Sequence, residues 1–105
     1  MRKISKKNDI DFLEELYAVI KNRDNGKVKN SYTKLLLKKG KNLIAKKVNE
    51  ESLELIIDYL SGSKKRTIEE AADLIFHVVV LLYSKKITIN DIKKELNKRK
   101  NVRRK

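Results

Sequence analysis

The chain lacks cysteine, proline and tryptophan, and it has a single histidine, His77, among its 105 residues. Without cysteine it can form neither disulfides nor thiolate metal sites, and one histidine cannot build the usual Cys/His zinc site. The charged first nine residues contain no apolar segment typical of a secretory signal. The longest apolar run without a charge, residues 78–83, is too short to span a bilayer. We therefore expect a soluble, cytoplasmic protein that binds no membrane.

Positive charge dominates the composition, with 27 Lys and Arg residues against 14 acids and a formal net charge of +13. Residues 93–105 hold eight basic residues and one acid, and a second basic group lies within residues 38–47. Aromatic residues do not alternate with these runs, as they do in surfaces that stack nucleic-acid bases. Two interpretations remain, a solvated lysine-rich surface and an electrostatic funnel for a polyanionic small substrate. We do not expect a nucleic-acid partner.

Apolar periodicity predicts helices along the whole chain and no strand. The predicted helices cover residues 9–23, 32–39, 41–60, 65–85 and 89–100. We predict a single domain over residues 1–105, with an ordered helical core over about residues 9–100 and a basic tail over residues 101–105.

Short polar signals mark the ends of these helices. Asn8 or Asp9 is a candidate cap for the first helix, and Asn25-Gly26 is a fitting stop. Ser31 is predicted to cap the short second helix. Thr88 and Asp91 have the spacing of a capping box for the last helix.

Two of the predicted helices carry paired carboxylates within otherwise apolar sequence. Glu51 and Glu54 are three residues apart on one helix, and Glu70 and Asp73 are three apart on the next. Residues at this spacing share a helix face, so each pair projects in one direction. Two facing pairs supply four oxygen ligands for a hard divalent cation, Mg²⁺ or Mn²⁺ in its place. Such a cation would suit a phosphoanhydride substrate.

The alternative for these acids is ion pairing with Lys47, Arg66 or other cations on neighbouring helices. Apolar side chains occupy most of the remaining circumference of both helices, which indicates burial on several sides. One 105-residue bundle has too little interior to hide that surface. We therefore predict a homodimer in which helix faces pack across a two-fold axis.

Three segments of the chain carry a family resemblance: Ser31-Tyr32-Thr33, residues 47–54 and residues 69–77. Through them the chain resembles the phosphoribosyl-ATP pyrophosphohydrolase family, from residue 12 to about residue 99. The E-x-x-E and later E-x-x-D pattern is shared with the wider MazG-like all-α nucleotide pyrophosphohydrolase superfamily. The Ser-Tyr-Thr segment and the Asp-Leu-x-aromatic-His ending indicate the histidine-pathway branch, although Phe76 stands where tyrosine is common.

The resemblance implies an all-α fold, a bundle of four to five helices of the MazG-like type that dimerises through helix faces. It implies hydrolysis of phosphoribosyl-ATP to phosphoribosyl-AMP and pyrophosphate, the second step of histidine biosynthesis, by Mg²⁺-assisted attack of water on the α–β phosphoanhydride. Glu51, Glu54, Glu70 and Asp73 would be both catalytic residues and metal ligands. In many bacteria this activity is fused to a cyclohydrolase domain, and we expect a stand-alone enzyme here.

Four further residues are candidates with two interpretations each. Glu50 either supports the metal site and orients the attacking water, or is a solvent-facing acid. Lys47 either contacts substrate phosphate or balances the acid cluster. His77 is either a packed core residue or a group that orients Asp73 or contacts substrate. Ser31 either only caps its helix or also borders the substrate or the dimer partner.

Two rival functions stay open at this point. A MazG-like house-cleaning enzyme acting on ordinary or damaged nucleoside triphosphates would share the metal site and differ in its base and sugar pocket. A non-enzymatic basic helical module that binds nucleic acid would tolerate neutralisation of the four acids.

Overall fold

The computed structural model describes the backbone of residues 2–26 and 31–103, and the side chains of residues 12–26 and 31–100. Within these residues it contains five helices and no strand, which confirms the all-α prediction. The helices are α1 (Arg2–Asn25), α2 (Tyr32–Lys39), α3 (Lys41–Ser61), α4 (Lys64–Ser84) and α5 (Ile89–Arg103). None of the described helices combines the length and the apolar character needed to cross a membrane.

The outer helices are longer than predicted. Helix α1 begins at Arg2, so the prediction that Asn8 or Asp9 caps it is wrong. No proline or glycine precedes Gly26, and the lysines of this segment are good helix formers, so nothing ends the helix earlier. Helix α5 continues to Arg103 instead of ending near residue 100, and residues 104–105 of the predicted basic tail lie outside the described residues.

Caps and glycines fix the turns between the helices. Ser31 Oγ accepts a hydrogen bond from the Lys34 amide at 3.3 Å, as predicted. Gly40 separates α2 from α3 with a φ of 97°, in the left-handed region that favours glycine. A short turn at Gly62 and Ser63 separates α3 from α4, and Ser63 caps α4 by accepting from the Arg66 amide at 3.0 Å.

The predicted capping box at the start of α5 is confirmed. The Thr88 amide donates to Asp91 Oδ2 at 2.9 Å, and the Asp91 amide donates to Thr88 Oγ1 at 3.1 Å. Two otherwise unsatisfied backbone donors are therefore paired reciprocally. The Thr88 amide also lowers the pKa of the Asp91 carboxyl by hydrogen bonding to its ionised form.

Helices α3 and α4 are joined by a short turn and form the most extensive helix pair of the described chain. The buried core lies where α1 and α2 pack against this pair. It consists of Ile20, Leu36, Ile44, Val79 and Val80. Since this core occupies the half of α3 before Glu50 and the half of α4 after Asp73, the carboxylates lie beyond it.

Helix α3 exposes an apolar stripe. Leu53, Ile56, Ile57 and Leu60 are spaced i, i+3, i+4 and i+7, and their exposed fractions lie between 51% and 74%. Ile44 is the one buried residue of the helix. The predicted burial of α3 on several sides is therefore not achieved within one chain.

Candidate metal centre

The α3–α4 pair brings three of the predicted metal ligands together. One carboxylate oxygen from each of Glu51, Glu70 and Asp73 lies within 4.8 Å of the others. The i, i+3 spacing of Glu70 and Asp73 places both on the face of α4 that meets Glu51 of α3. Three carboxylates at this separation are a donor set suited to a hard divalent cation.

Two oxygens of this cluster are buried without a hydrogen-bond partner among the described residues, Glu51 Oε1 and Glu70 Oε1. A buried anionic oxygen is strongly disfavoured unless it is paired or coordinates a metal. Both unpaired atoms belong to the same three-residue cluster. The cluster therefore fits a bound cation.

Glu54, the fourth predicted ligand, is exposed and lies beside Glu70. Burial is the main cause of the raised pKa of the Glu70 carboxyl, and the neighbouring Glu54 carboxyl raises it further. Asp73 adds to the rise, whereas Arg66 opposes it. All four predicted carboxylates are thus neighbours, with Glu54 at the edge of the tight group of three.

Arg66 contacts three acids around this group. Its guanidinium lies 2.9 Å from Glu70 Oε2, 2.9 Å from Glu69 Oε1 and 3.8 Å from Asp58 Oδ2. The hydrogen bond to Glu69 is the main cause of the raised pKa of Arg66, followed by the charges of Asp58 and Glu70. The ion pairing considered as an alternative is therefore present for Glu70, but it engages only one oxygen.

Lys47 pairs with Glu50, one of the sequence candidates. Its ammonium lies 3.3 Å from Glu50 Oε1, and this hydrogen bond is the main cause of the raised pKa of Lys47. Glu51 also raises that pKa by its charge. Lys47 is therefore close enough to the carboxylate cluster to offset part of its negative charge.

His77 is buried, and both of its ring nitrogens have protein partners. Nδ1 lies 2.8 Å from the backbone oxygen of Asp73, and Nε2 lies 2.7 Å from the hydroxyl of Tyr32. Its contact with Asp73 is thus to the backbone and not to the carboxylate.

Tyr32 is a site residue that the sequence did not single out, apart from its place in the Ser-Tyr-Thr segment. Its ring stacks on Phe76 with centroids 6.2 Å apart and lies among the charges of Lys47, Glu51 and Asp73. Burial of the hydroxyl is the main cause of its raised pKa, and the nearby carboxylates add to it. Tyr32, and not the neighbouring Ser31, brings α2 to the cluster.

Tyr32 also lines an open cavity of about 820 Å³ between the end of α1 and α2. Ser31, Lys34 and Lys38 share this lining, together with Asp24. Tyr32 therefore lines the cavity and also lies near the charges of Glu51 and Asp73.

Known proteins match most of the chain. The family profile described as phosphoribosyl-ATP pyrophosphohydrolase matches residues 13–100. A phosphoribosyl-ATP pyrophosphatase from Clostridium novyi is 48% identical over 94 residues, which cover 89% of this chain and 84% of the relative. One from Metallosphaera sedula is 42% identical over 85% of this chain and 96% of its own length.

A histidine biosynthesis bifunctional protein from Caldanaerobacter subterraneus is 46% identical over 86% of this chain, but the match covers 44% of that longer relative. The profile match includes all four carboxylates of the candidate site as well as Tyr32 and His77. By the extent of these matches, the chain belongs to the phosphoribosyl-ATP pyrophosphohydrolase family.

Proposed function

We propose that this chain hydrolyses phosphoribosyl-ATP to phosphoribosyl-AMP and pyrophosphate in histidine biosynthesis. Family membership supports the reaction, and the carboxylate cluster supports its chemistry. The observation that carries the proposal is that Glu51 and Glu70, whose carboxylates cluster with Asp73, each have a buried oxygen without a hydrogen-bond partner among the described residues. These oxygens favour a site completed by a cation over a set of structural ion pairs.

Glu51, Glu54, Glu70 and Asp73 are the proposed ligands of Mg²⁺, with Mn²⁺ as a substitute. A divalent cation in this position neutralises phosphate charge and lowers the pKa of bound water. The protein's own contribution is to present the oxygens in advance. Arg66 holds one oxygen of Glu70, and the other oxygen is buried without a partner among the described residues.

Glu50 and Lys47 are proposed to act next to the ligands. Glu50, held by Lys47, orients the attacking water and receives its proton. Lys47 bonds to Glu50 and lies within range of the charge of Glu51, and its own charge attracts the polyphosphate. Ser31 is proposed to border the substrate, because it lines the same cavity as Tyr32. His77 is proposed to act through its hydrogen bond to the Tyr32 hydroxyl.

We further propose that two copies of the chain form a homodimer through the exposed apolar stripe of α3. The stripe defined by Leu53, Ile56, Ile57 and Leu60 has the width and spacing of a helix-packing surface. A second copy would cover it by two-fold symmetry, with the same residues contributed by both chains.

Conservative amide substitutions test the catalytic proposal. We expect Glu51→Gln and Glu70→Gln each to reduce pyrophosphate release from phosphoribosyl-ATP by at least about 100-fold and to weaken Mn²⁺ binding. Glu95→Gln is the matched control, because Glu95 is exposed on α5 and pairs only with Arg99 among the described residues. Near-normal release by Glu70→Gln would contradict the proposed site.

A further inference from the structure

A long-range hydrogen bond connects α2 to the helix that carries Glu70 and Asp73. The hydroxyl of Tyr32, the first residue of α2, lies 2.7 Å from Nε2 of His77, which is 45 residues further along the chain. His77 is in turn 2.8 Å from the backbone oxygen of Asp73. The three residues thus form a chain of two hydrogen bonds that ends at a residue of the carboxylate cluster.

The chemistry of the partners fixes the direction of both bonds. A backbone carbonyl only accepts, so His77 Nδ1 must donate to Asp73. In the neutral ring Nε2 then has no proton and accepts a hydrogen bond from the Tyr32 hydroxyl. The Asp73 carbonyl therefore selects the Nδ1–H tautomer of His77, and Tyr32 holds the ring through its other nitrogen.

Aromatic packing limits the movement of this assembly. The Tyr32 ring stacks on Phe76, and both rings meet His77 edge-on at centroid distances of 5.6 and 5.2 Å. The assembly adjoins Asp73 and Glu51, because Tyr32 lies within range of both charges. A displacement of Tyr32 would therefore alter the α4 turn from which Asp73 projects.

We propose that Tyr32 is a positioning residue that acts through the Nδ1–H tautomer of His77 to hold the Asp73 turn of α4 in register with Glu51. This role rests on the proposed function, because it requires that the carboxylate cluster binds a cation. Outer groups that orient metal ligands typically contribute about 10- to 100-fold in metal affinity. The hydroxyl proton of Tyr32 is consequently unavailable to substrate, since it is donated to His77.

The tautomer is measured directly by long-range ¹H–¹⁵N correlation NMR, because His77 is the only histidine of the chain. In neutral His77 we expect the wild type to show the Nδ1–H form with Nε2 accepting a hydrogen bond, and Tyr32→Phe to keep this tautomer but to shift the Nε2 resonance because that hydrogen bond is lost. An Nε2–H form in the wild type, or an unchanged spectrum in Tyr32→Phe, would overturn the proposal. This measurement requires neither substrate nor metal.

Metal affinity provides the second readout. We expect Tyr32→Phe to raise the dissociation constant for Mn²⁺ about 10-fold, as measured by electron paramagnetic resonance. Tyr83→Phe is the matched control, since it removes a comparable tyrosine hydrogen bond, 2.6 Å to Asp24, three helical turns from Asp73. The control should keep Mn²⁺ affinity within about 2-fold of the wild type.

The outcomes separate this inference from the proposed function. If the wild type binds Mn²⁺ and hydrolyses phosphoribosyl-ATP but Tyr32→Phe binds Mn²⁺ equally well, the positioning role is wrong and the function stands. If the wild type neither binds Mn²⁺ nor hydrolyses that substrate, the proposed function fails, and with it the role of Tyr32 at a metal site. In a double-mutant cycle that combines Tyr32→Phe with His77→Gln, the double variant should bind Mn²⁺ no more weakly than the single variant with the lower affinity.

Discussion

Arg66 holds Glu70 through one oxygen only: its guanidinium lies 2.9 Å from Oε2, while Oε1 is buried and has no partner among the described residues. The buried carboxylate is thus fixed in orientation without being fully neutralised. Such an arrangement leaves an acceptor available for a cation, whereas a two-oxygen fork to arginine would have occupied it.

Removal of this arginine should weaken metal binding specifically. Because Arg66 lowers the pKa of Glu70, we expect Arg66→Ala to let protons compete better with metal. The Mg²⁺ concentration for half-maximal pyrophosphate release should rise about 10-fold. Initial rates across a Mg²⁺ titration measure this. Arg99→Ala, which breaks the exposed Arg99–Glu95 pair, is the control and should leave the titration unchanged. Identical titrations for both variants would refute the proposed role of Arg66.

Glu54 should affect stability and activity in opposite directions. Its carboxylate raises the pKa of Glu70, so the two acids repel each other in the metal-free protein at neutral pH. We expect Glu54→Gln to raise the thermal midpoint of the metal-free protein and to lower pyrophosphate release at least about 10-fold. Calorimetry with and without chelator measures the first effect. A lowered metal-free midpoint would show that Glu54 is a structural partner and not a site residue.

Tyr83 and Asp24 should produce an alkaline stability transition. Their 2.6 Å hydrogen bond is the main cause that raises the pKa of Tyr83 from 10.0 to about 12. Below about pH 10 Tyr83 is protonated in both the folded and the unfolded state, so the hydrogen bond contributes fully to stability. Between about pH 10 and about pH 12 Tyr83 ionises only in the unfolded state, so the free energy of unfolding falls as pH rises.

The Tyr83→Phe variant isolates this contribution. At about pH 8 it should be less stable by about 1 kcal/mol, the usual size of one hydrogen bond. Its free energy of unfolding should also fall less steeply than that of the wild type above about pH 10. Urea unfolding at several pH values provides the test. Parallel pH profiles for the two proteins would rule out the assignment.

The α3 stripe should determine the assembly. We expect wild-type protein to elute as a dimer in size-exclusion chromatography with light scattering, and Ile56→Lys to shift it towards monomer by placing a charge in the contact. Leu96→Lys is the control, because Leu96 is similarly exposed but lies on α5. A monomeric wild type would contradict the homodimer.

The sequence predicts the helices well because their signals are local. Ser31, Gly40 and the Thr88–Asp91 box each act within four residues, and all three were found at the predicted helix ends. The start of α1 was predicted too late because Asn8 has a side chain typical of helix caps, and such a side chain does not by itself begin a helix. Without a breaker before it, the helix continues through that residue.

The grouping of the carboxylates could be predicted from sequence, whereas their surroundings could not. The i, i+3 spacings of the carboxylates predicted that the two pairs would face each other, and Glu51, Glu70 and Asp73 do cluster. Arg66 and Glu70 are four residues apart on one helix, so their ion pair could also be predicted from the spacing. The fact that the pair engages only one oxygen of Glu70 could not be predicted in this way. The Tyr32–His77 bond spans 45 residues, a contact that follows from how α2 packs on α4 and from no local pattern.

The central claim is tested most directly by pyrophosphate release from phosphoribosyl-ATP, with Mg²⁺ and with chelator, beside a panel of dATP, dUTP and dCTP. The account predicts release from phosphoribosyl-ATP alone, and only when Mg²⁺ is present. Release from the triphosphates instead would keep the metal site and place the chain with house-cleaning pyrophosphohydrolases. No release from any of these substrates by folded protein would contradict the enzymatic account and favour a binding role for the basic surface.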